Sequence, residues 1–435
     1  MPGETQLPAS VSVRPARRIG RGGRGAALAW GGAIAIALIA PHLFASGFGL
    51  SLLCRMAIAI VFALSFNMLL GQGGMLDFGH AVFFGLGGFA TMHLLKLVDG
   101  GLALPVVLLP LAGALGGALA ALPAGWLATR REGTSFAMIT LGIAELAVAL
   151  VVMIPQWFGG EEGVSGDRSG GVALFGFDFG SAVQIYYVLA AWALLAAALM
   201  WGVTRTPLGR LANAVRDNPL RVDFLGYDPA RIRFLTFLLA GLFAGVAGGM
   251  QALNDEIMTV SNIGSAASGA VLLMTYIGGV GTFSGPVIGA VLVTLLQVAL
   301  GTVTDAWQLY SGLIFVAMVL WAPEGISGIV QSHAPILRAG RGARLLGPYL
   351  ALLPAVGLTL AGTVGLAELA YRLQAVRGGA RAGRLFGLAV APTEAWQWLL
   401  PLALFVLGAW LLSRLAPPAR AAWQEAAAQA ARGVS

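Results

Sequence analysis

Charge is scarce in this sequence. Only 10% of its 435 residues are Asp, Glu, Lys or Arg, and 58% are hydrophobic. A soluble domain carries roughly 25% charged residues, so this composition excludes an ordinary water-soluble protein. Apolar runs of about 20 residues, each long enough to cross a bilayer as a helix, recur from end to end. The sequence therefore predicts an all-α polytopic membrane protein.

Lysine and cysteine are almost absent. Cys54 is the single cysteine, so an internal disulfide is excluded. Lys96 is the single lysine, and no G-x-x-x-x-G-K-[ST] phosphate loop surrounds it, which excludes a Walker-type ATP site in this chain. His42, His93 and His333 are scattered without metal-ligand spacing. With no clustered nucleophile, base or metal ligands, we expect no enzyme, no bound cofactor and no metal.

The charge that is present lies mostly beside the apolar runs. The formal net charge is +7, but the positive-inside rule already accounts for arginines that flank membrane spans, so no nucleic-acid partner is expected. Several arginines stand in residues 1–25, ahead of an apolar run from Ala26 to Phe44. That run is longer than the hydrophobic part of a typical signal peptide. We expect an uncleaved first span and a basic cytoplasmic N-terminal tail.

Twelve apolar segments are candidate spans. Ten lie in a core over residues 26–332, and two lie in an extension over residues 333–435. From a cytoplasmic N-terminus, Arg130 and Arg131 fall inside, and the loop with Glu161 and Glu162 falls outside. The predicted segments are 27–46, 50–70, 78–97, 104–128, 135–154, 182–203, 232–253, 267–282, 284–300, 309–322, 345–369 and 396–415.

The last two segments fit the positive-inside rule poorly. A single crossing separates two arginine clusters, so one of them would be outside. Either the loop between the two segments violates the rule, or one of the segments lies on the membrane surface. We expect the extension to be peripheral. The clusters are Arg338, Arg341 and Arg344, and Arg372, Arg377, Arg381 and Arg384.

The segment Thr204–Arg233 carries nine charges between two apolar runs. Each charge at the centre of a span would cost roughly 2.5–3.5 kcal/mol, so the segment is expected to be a cytoplasmic loop. Thr-Pro, Asn-Pro and Asp-Pro pairs at 206, 218 and 228 place N-cap side chains before prolines. They predict helices over about 207–217 and 219–225, with Gly226 ending the second and the next span starting at Pro229. Such a loop either rests on anionic headgroups or docks a soluble partner.

Six ordered stretches resemble a known family. They are the charged segment, with Gly209, Arg210, Ala214, Arg216, Asp217 and Asn218 followed by Phe224, Leu225 and Gly226, and "NMLLGQGGMLDFGHAVFFGLGGFA", "FAMITLGIAEL", "GGEEGVSG", "GGVGTFSGPVIGA" and "APEGI". The pattern is similar to that of the LivM-like permeases of the branched-chain amino acid ABC transporter family. It covers Leu50 to about Val330 and nothing after that.

The resemblance implies a permease subunit of an importer in the bacterial inner membrane. It also implies that the charged segment couples the chain to two cytoplasmic ATPases, which use the ATP, and that a second, LivH-like permease and an extracytoplasmic solute-binding protein complete the assembly. The expected solute is a branched-chain or other amino acid, or a similar small polar solute. A stand-alone secondary transporter is the alternative. It should carry carboxylates spaced for ion coupling, and in the permease core only Asp77 and Glu145 qualify.

Two glycine-interrupted stretches lie in opposite halves of the chain, at 71–80 and 278–286. Broken helices at corresponding positions of two related halves often mark a solute path. The competing interpretation is that each stretch is a polar turn between helices. Glu145, in the middle of a span, either serves the path or bonds to a neighbouring helix. The candidate path residues are Gln72, Asp77, His80, Glu145, Tyr276, Thr282 and Ser284.

Overall fold

The computed structural model describes residues 23–170, 179–302, 304, 306–340, 342–377, 384–385, 388–389 and 394–432. Most of the basic N-terminal tail, Arg341 and Arg381 lie outside these residues. The described chain is almost entirely helical, and eleven of its helices are long and apolar enough to cross a membrane. The predicted all-α polytopic fold is therefore confirmed.

The helices follow the predicted segments closely. A twelfth candidate span is formed by two helices, α13 and α14, that meet at a bend of 43°. The helices are α1 Gly23–Leu43, α2 Gly47–Asn67, α3 His80–Asp99, α4 Pro110–Ala128, α5 Thr134–Met153, α6 Pro155–Phe158, α7 Ala182–Arg205, α8 Pro207–Asp217, α9 Pro219–Phe224, α10 Pro229–Asp255, α11 Ser265–Gly278, α12 Ser284–Gly301, α13 Trp307–Trp321, α14 Gly325–Arg338, α15 Ala343–Arg377 and α16 Trp396–Arg432. Antiparallel two-residue strands pair β1 Val164–Ser165 with β2 Ile257–Met258, and β3 Arg384–Leu385 with β4 Leu388–Ala389.

Both glycine-interrupted stretches lie between consecutive spans. A π-helical turn, Met68–Gln72, extends α2, and residues 73–79 then lead into α3. Residues 279–283 connect α11 to α12. Both connections are at the end of the bundle that carries α8 and α9, which we call the charged end. The end with the β1–β2 pair is called the loop end.

Glycines allow α10 to lie directly against α3 and α4. A Cβ atom at Gly245 of α10 would overlap the carbonyl oxygen of Gly113 in α4, and one at Gly117 would lie 2.7 Å from the Cα atom of Gly245. Gly87 of α3 also lies directly against the backbone of Gly245 in α10. Small residues are enriched where membrane helices approach closely. The pairs Gly113/Gly117 and Gly241/Gly245 therefore serve helix packing.

At the loop end, Arg168 binds the last turn of α10. Its Nη1 atom donates to the carbonyl oxygens of Leu253 and Asn254 at 2.9 and 3.1 Å, where α10 leaves its last carbonyls without helical partners. Nearby, the hydroxyl and amide of Ser169 donate to Asp167, and these bonds hold the pKa of the Asp167 carboxyl below its usual value. The acidic loop is therefore folded against the end of α10 instead of standing free.

The extension forms an antiparallel hairpin of α15 and α16. At the charged end, Leu345 and Ala426 share a buried cluster with Ile336 of α14. At the loop end, the Glu368 carboxylate of α15 accepts a hydrogen bond from the Tyr310 hydroxyl at 3.2 Å and lies 3.5 Å from Nε of Arg372. The domain boundary predicted at 332/333 falls within α14.

These contacts place Arg372 at the loop end, opposite Arg344. Of the two alternatives for the last segments, the geometry matches a loop that departs from the positive-inside rule. Arg344 donates from Nη1 to Gln429 at 2.6 Å near the end of α16, so α15 and α16 each run the full height of the bundle.

We expect Gly245→Ala to destabilise the fold, because its methyl group would meet the backbone of α4. Overpacking of this kind costs about 1–3 kcal/mol. The measurement is the thermal unfolding midpoint of the purified protein. Gly202→Ala is the matched control, since a Cβ atom at Gly202 meets nothing within 4 Å. Equal midpoints for the two variants would contradict the close-packing role.

Candidate functional site

The charged segment forms the two predicted helices, α8 and α9. The Thr206 side chain accepts from the amide of Gly209 at 3.4 Å, and Asn218 accepts from the amide of Arg221 at 3.1 Å. Gly226 has φ of +84° and ends the turn after α9, a conformation that glycine adopts without strain. The caps, both helices and the start of α10 at Pro229 are confirmed.

The segment has one packed face and one free face. Ala212, Val215 and Val222 are buried with Ile232 of α10, and Leu208, Leu211 and Ala214 pack against them. On the other face Phe224 is 91% exposed, and Leu220 and Leu225 are 69% and 68% exposed. Arg210, Arg216, Asp217 and Asn218 are also exposed. Such a contiguous exposed apolar patch on a folded loop is typical of a protein contact.

Arg216 ties α8 to the first glycine-interrupted stretch. Its Nη1 atom donates to the carbonyl oxygen of Gly71, and its Nε and Nη2 atoms bind Asp217 Oδ1 at 3.1 and 3.0 Å. A Cβ atom at Gly74 would lie 2.6 Å from the Arg216 side chain, so only glycine allows this approach. The charged segment therefore touches the membrane-spanning bundle through the connection between α2 and α3.

The two glycine-interrupted stretches meet each other at the charged end. A Cβ atom at Gly71 would lie 2.6 Å from the carbonyl oxygen of Val280, and Gln72 is buried beside Gly71. The Thr282 hydroxyl accepts from the amide of Gly285 at 3.0 Å and so caps the start of α12. The structure thus brings the two stretches together, as turns between spans.

Asp77 and His80 belong to a buried polar network near the contact between the two glycine-interrupted stretches. Both are completely buried. Asp77 Oδ1 accepts from the amide of Gly79 at 2.8 Å, Asp77 Oδ2 lies 3.4 Å from His80 Nδ1, and His80 Nε2 lies 2.9 Å from the hydroxyl of Ser65 in α2. The imidazole is enclosed by the rings of Phe62, Phe66 and Phe83. The His80 ring thus lies beside the Asp77 carboxylate, without a hydrogen bond between Oδ2 and Nδ1.

The remaining candidates lie apart from this network. Tyr276 is half-buried in α11 with its ring 5.7 Å from that of Phe315, and Ser284 is exposed at the first residue of α12. None of these positions tests a path role, which stays a prediction for Gln72, Asp77, His80, Tyr276, Thr282 and Ser284.

Glu145 points away from the rest of the chain. It lies on an exposed stripe of α5, and the described residues provide it with neither a hydrogen bond nor an ion pair. The neighbouring helix bond considered as an alternative is therefore not found in the described part of this chain. A carboxylate left in lipid at mid-span would cost roughly 2.5–3.5 kcal/mol. The stripe consists of Ser135, Met138, Gly142, Glu145, Leu146, Ala149 and Met153.

A cavity of about 460 Å³ opens at the charged end between α5, α8 and the 73–78 segment. Its charged lining comprises Arg131, Arg216, Arg233 and Glu132. Arg233 and Glu132 neutralise each other, with Nη2 and Oε1 2.7 Å apart. Met75 and Phe78 add apolar surface. The cavity separates α8 from the first turn of α5.

Sequence reasoning missed two hydroxyls that hold the 73–79 turn. Thr140 Oγ1 of α5 accepts from the amide of Phe78 at 3.2 Å, and Ser268 Oγ of α11 accepts from the amide of Ala81 at 3.1 Å. The only local signal is a polar residue inside an apolar run. Across the described residues, no group of three or more His, Cys, Asp or Glu could hold a metal ion.

Comparisons with known proteins agree on one family. The family described as "branched-chain amino acid transport system / permease component" matches residues 49–323. The chain is 26% identical to the high-affinity branched-chain amino acid transport system permease protein LivM of Salmonella typhimurium, covering 67% of this chain and 73% of that protein. The LivM protein of Escherichia coli is 26% identical, covering 66% and 71%. No solved structure matches significantly.

Another relative, matched over a smaller part of this chain, is a LivH protein. The probable branched-chain amino acid transport permease protein LivH of Methanocaldococcus jannaschii is 26% identical, covering 56% of this chain and 80% of that protein. The family match ends at residue 323, just before α14. The α15–α16 hairpin therefore lies outside the matched region.

We expect Asp77→Ala to destabilise the protein more than Asp77→Asn. Alanine leaves the buried Gly79 amide without its acceptor, which costs about 1–3 kcal/mol, whereas an asparagine oxygen still accepts from the amide. Thermal unfolding of purified variants measures the difference. Glu162→Ala, at an exposed carboxylate of the loop end, is the control. Equal unfolding midpoints for Asp77→Ala and this control would show that the network does not stabilise the fold.

Proposed function

The chain belongs to the family of permease components of branched-chain amino acid transport systems, which makes it a permease subunit of an ABC importer, and we propose that the exposed stripe of α5 lines its solute path. The single observation behind this proposal is Glu145, an unpaired carboxylate on the outer surface of a span. Such a group needs a polar environment in the membrane. A second permease, seated against α5 with a water-accessible path between the subunits, provides it.

The chemistry of the stripe fits an amino acid. The Glu145 carboxylate attracts an ammonium group. Met138 and Leu146 offer apolar surface to an aliphatic side chain, and Gly142 and Ala149 leave room beside it. We propose a branched-chain or similarly small amino acid as the solute. An extracytoplasmic solute-binding protein delivers it at the loop end in this proposal.

The energy source is proposed to lie on partner ATPases. This chain has no phosphate-loop motif around its single lysine. The exposed apolar side chains of α8 and α9 supply a contact surface at the end that also carries Arg130 and Arg131. The positive-inside rule assigns this charged end to the cytoplasm, where ATP is available. Two ATPases, one for each permease, fit a pair of such surfaces.

Arg216 is unsuitable as a docking probe, because its guanidinium is already bound to Gly71 and Asp217 within this chain. Phe224 and Leu220 have most of their surface free. A buried aromatic anchor at a protein interface is often worth 2 kcal/mol or more. These two residues therefore provide the sharper test of docking.

Glu145→Gln is expected to lower ATP-dependent leucine uptake by about tenfold, because a hydrogen bond to a charged group is worth roughly 1.5–3 kcal/mol. The assay uses the complete complex in proteoliposomes, with ion gradients collapsed by ionophores. Glu161→Gln, at an exposed carboxylate outside the spans, is expected to transport normally. Equal uptake by both variants would remove Glu145 from the path. Uptake by the parent that requires an ion gradient and not ATP would point to a secondary transporter.

Combined Leu220→Ala and Phe224→Ala substitutions are expected to reduce recovery of the ATPase subunits at least tenfold when this chain is purified from membranes. The amount of inserted permease should not change, since both side chains are exposed. Phe44→Ala, at an apolar residue that is 54% exposed near the loop end, is the matched control. Full recovery of the ATPases with the double variant would assign their contact to another surface.

A further inference from the structure

Helix α5 is held weakly compared with the centre of the bundle. Within its apolar window 28% of residues are buried, against 67% in α3 and 67% in α10. Its N-terminal end also has no side-chain cap. Within this chain, few contacts therefore fix the position of the helix that carries Glu145, so the loss of any one of them should have a large effect on that position.

One of these contacts is the junction of Thr140 with the 73–79 turn. The Phe78 amide donates to Thr140 Oγ1 at 3.2 Å, and Thr140 Oγ1 donates to the carbonyl oxygen of Ala137 at 3.0 Å. Gly79 lies directly under the Thr140 carbonyl, where a Cβ atom would overlap it. Thr140 is 2% exposed, so water does not compete for these bonds.

The opposite side of the same turn receives α8. Arg216 binds the Gly71 carbonyl oxygen and covers Gly74. Between these two contacts, Asp77 and His80 brace the turn from within, against its own Gly79 amide and against Ser65 of α2. The turn is therefore bound to α8 through Gly71 on one side and to α5 through Phe78 on the other.

Glu132 and Arg233 form a second link between the start of α5 and α10. Their ion pair spans 2.7 Å, but the Glu132 side chain is 60% exposed, and exposed ion pairs contribute little. This link starts at α10, which itself packs on α8 through Ile232, but it lies at the exposed surface. The Thr140 junction is therefore the buried route from the charged segment to α5.

We infer that Thr140 is a positioning residue that transmits the position of α8 to α5 and thereby sets the position of Glu145. Glu145 is five residues after Thr140 on the same helix, a rise of about 7.5 Å, so the two positions shift together. The inference rests on the proposed function, because it takes the α8–α9 surface as the ATPase contact and the α5 stripe as the path.

The test compares Thr140→Val with Thr236→Val in the complete reconstituted complex. Both threonines are buried, at 2% and 3% exposure, and the Thr236 hydroxyl donates only to its own helix, at Ile232, in the described structure. We expect Thr140→Val to raise the ATP hydrolysed per leucine transported at least fivefold while ATP hydrolysis itself continues. Thr236→Val should keep the parental ratio. Thr140→Ser, which retains the hydroxyl, should restore it.

A second readout follows α5 directly. Spin labels on cysteines at Leu150, an exposed residue of α5 outside the stripe, and at Leu195 of α7 report the distance between the helices with and without ATP and vanadate, in a Cys54→Ala background. The parent and Thr236→Val should show a nucleotide-dependent shift that Thr140→Val lacks. Thr140→Ala, which removes the hydroxyl without a bulkier replacement, serves both readouts if the valine variant does not assemble.

The inference is overturned if the hydroxyl-free variants keep both the parental ATP-to-leucine ratio and the parental distance shift. Failure of the proposed function gives a different result. In that case the parent itself shows no ATP-driven leucine uptake, whatever residue occupies position 140.

Discussion

The backbone contact of α10 with α3 and α4 is the constraint on which the rest of the structure depends. Gly245 and Gly113 bring the two main chains together where any side chain would separate them. This contact fixes α3, and α3 begins at the end of the 73–79 turn. Phe237 of α10 also packs edge-on against Phe83 of α3, beside the ring of His80. The position of the polar network thus follows from the close helix crossing.

At the charged end, a short turn joins elements that are distant in sequence. Main-chain amides of the turn and of the first residues of α3 are satisfied by hydroxyls from α5 and α11, and a main-chain carbonyl by Arg216 of α8. Backbone groups inside a membrane protein must find partners within the protein. That requirement turns a glycine-rich connection into a junction of four helices.

The α15–α16 hairpin is not held by close backbone packing against the core. It contacts the core at its two ends, through Leu345 at the charged end and Glu368 at the loop end, and only 17% and 6% of its two apolar windows are buried. Its outward surface suits lipid. Glu368 anchors the hairpin at the loop end by accepting hydrogen bonds from Thr304, between α12 and α13, and from Tyr310 of α13.

The sequence by itself determined the spans, the capped helices α8 and α9, the glycine at 226 and the family, because apolar length, capping and motif order are local properties of the chain. Only the tertiary structure decided that Asp77 and His80 are enclosed, that Glu145 faces outward, and that Thr140 binds the turn. Phe78 and Thr140 are 62 residues apart in sequence, and a hydroxyl in an apolar run does not indicate which distant amide it will meet. Helix packing settles that choice, since the face that each helix buries depends on all of its neighbours.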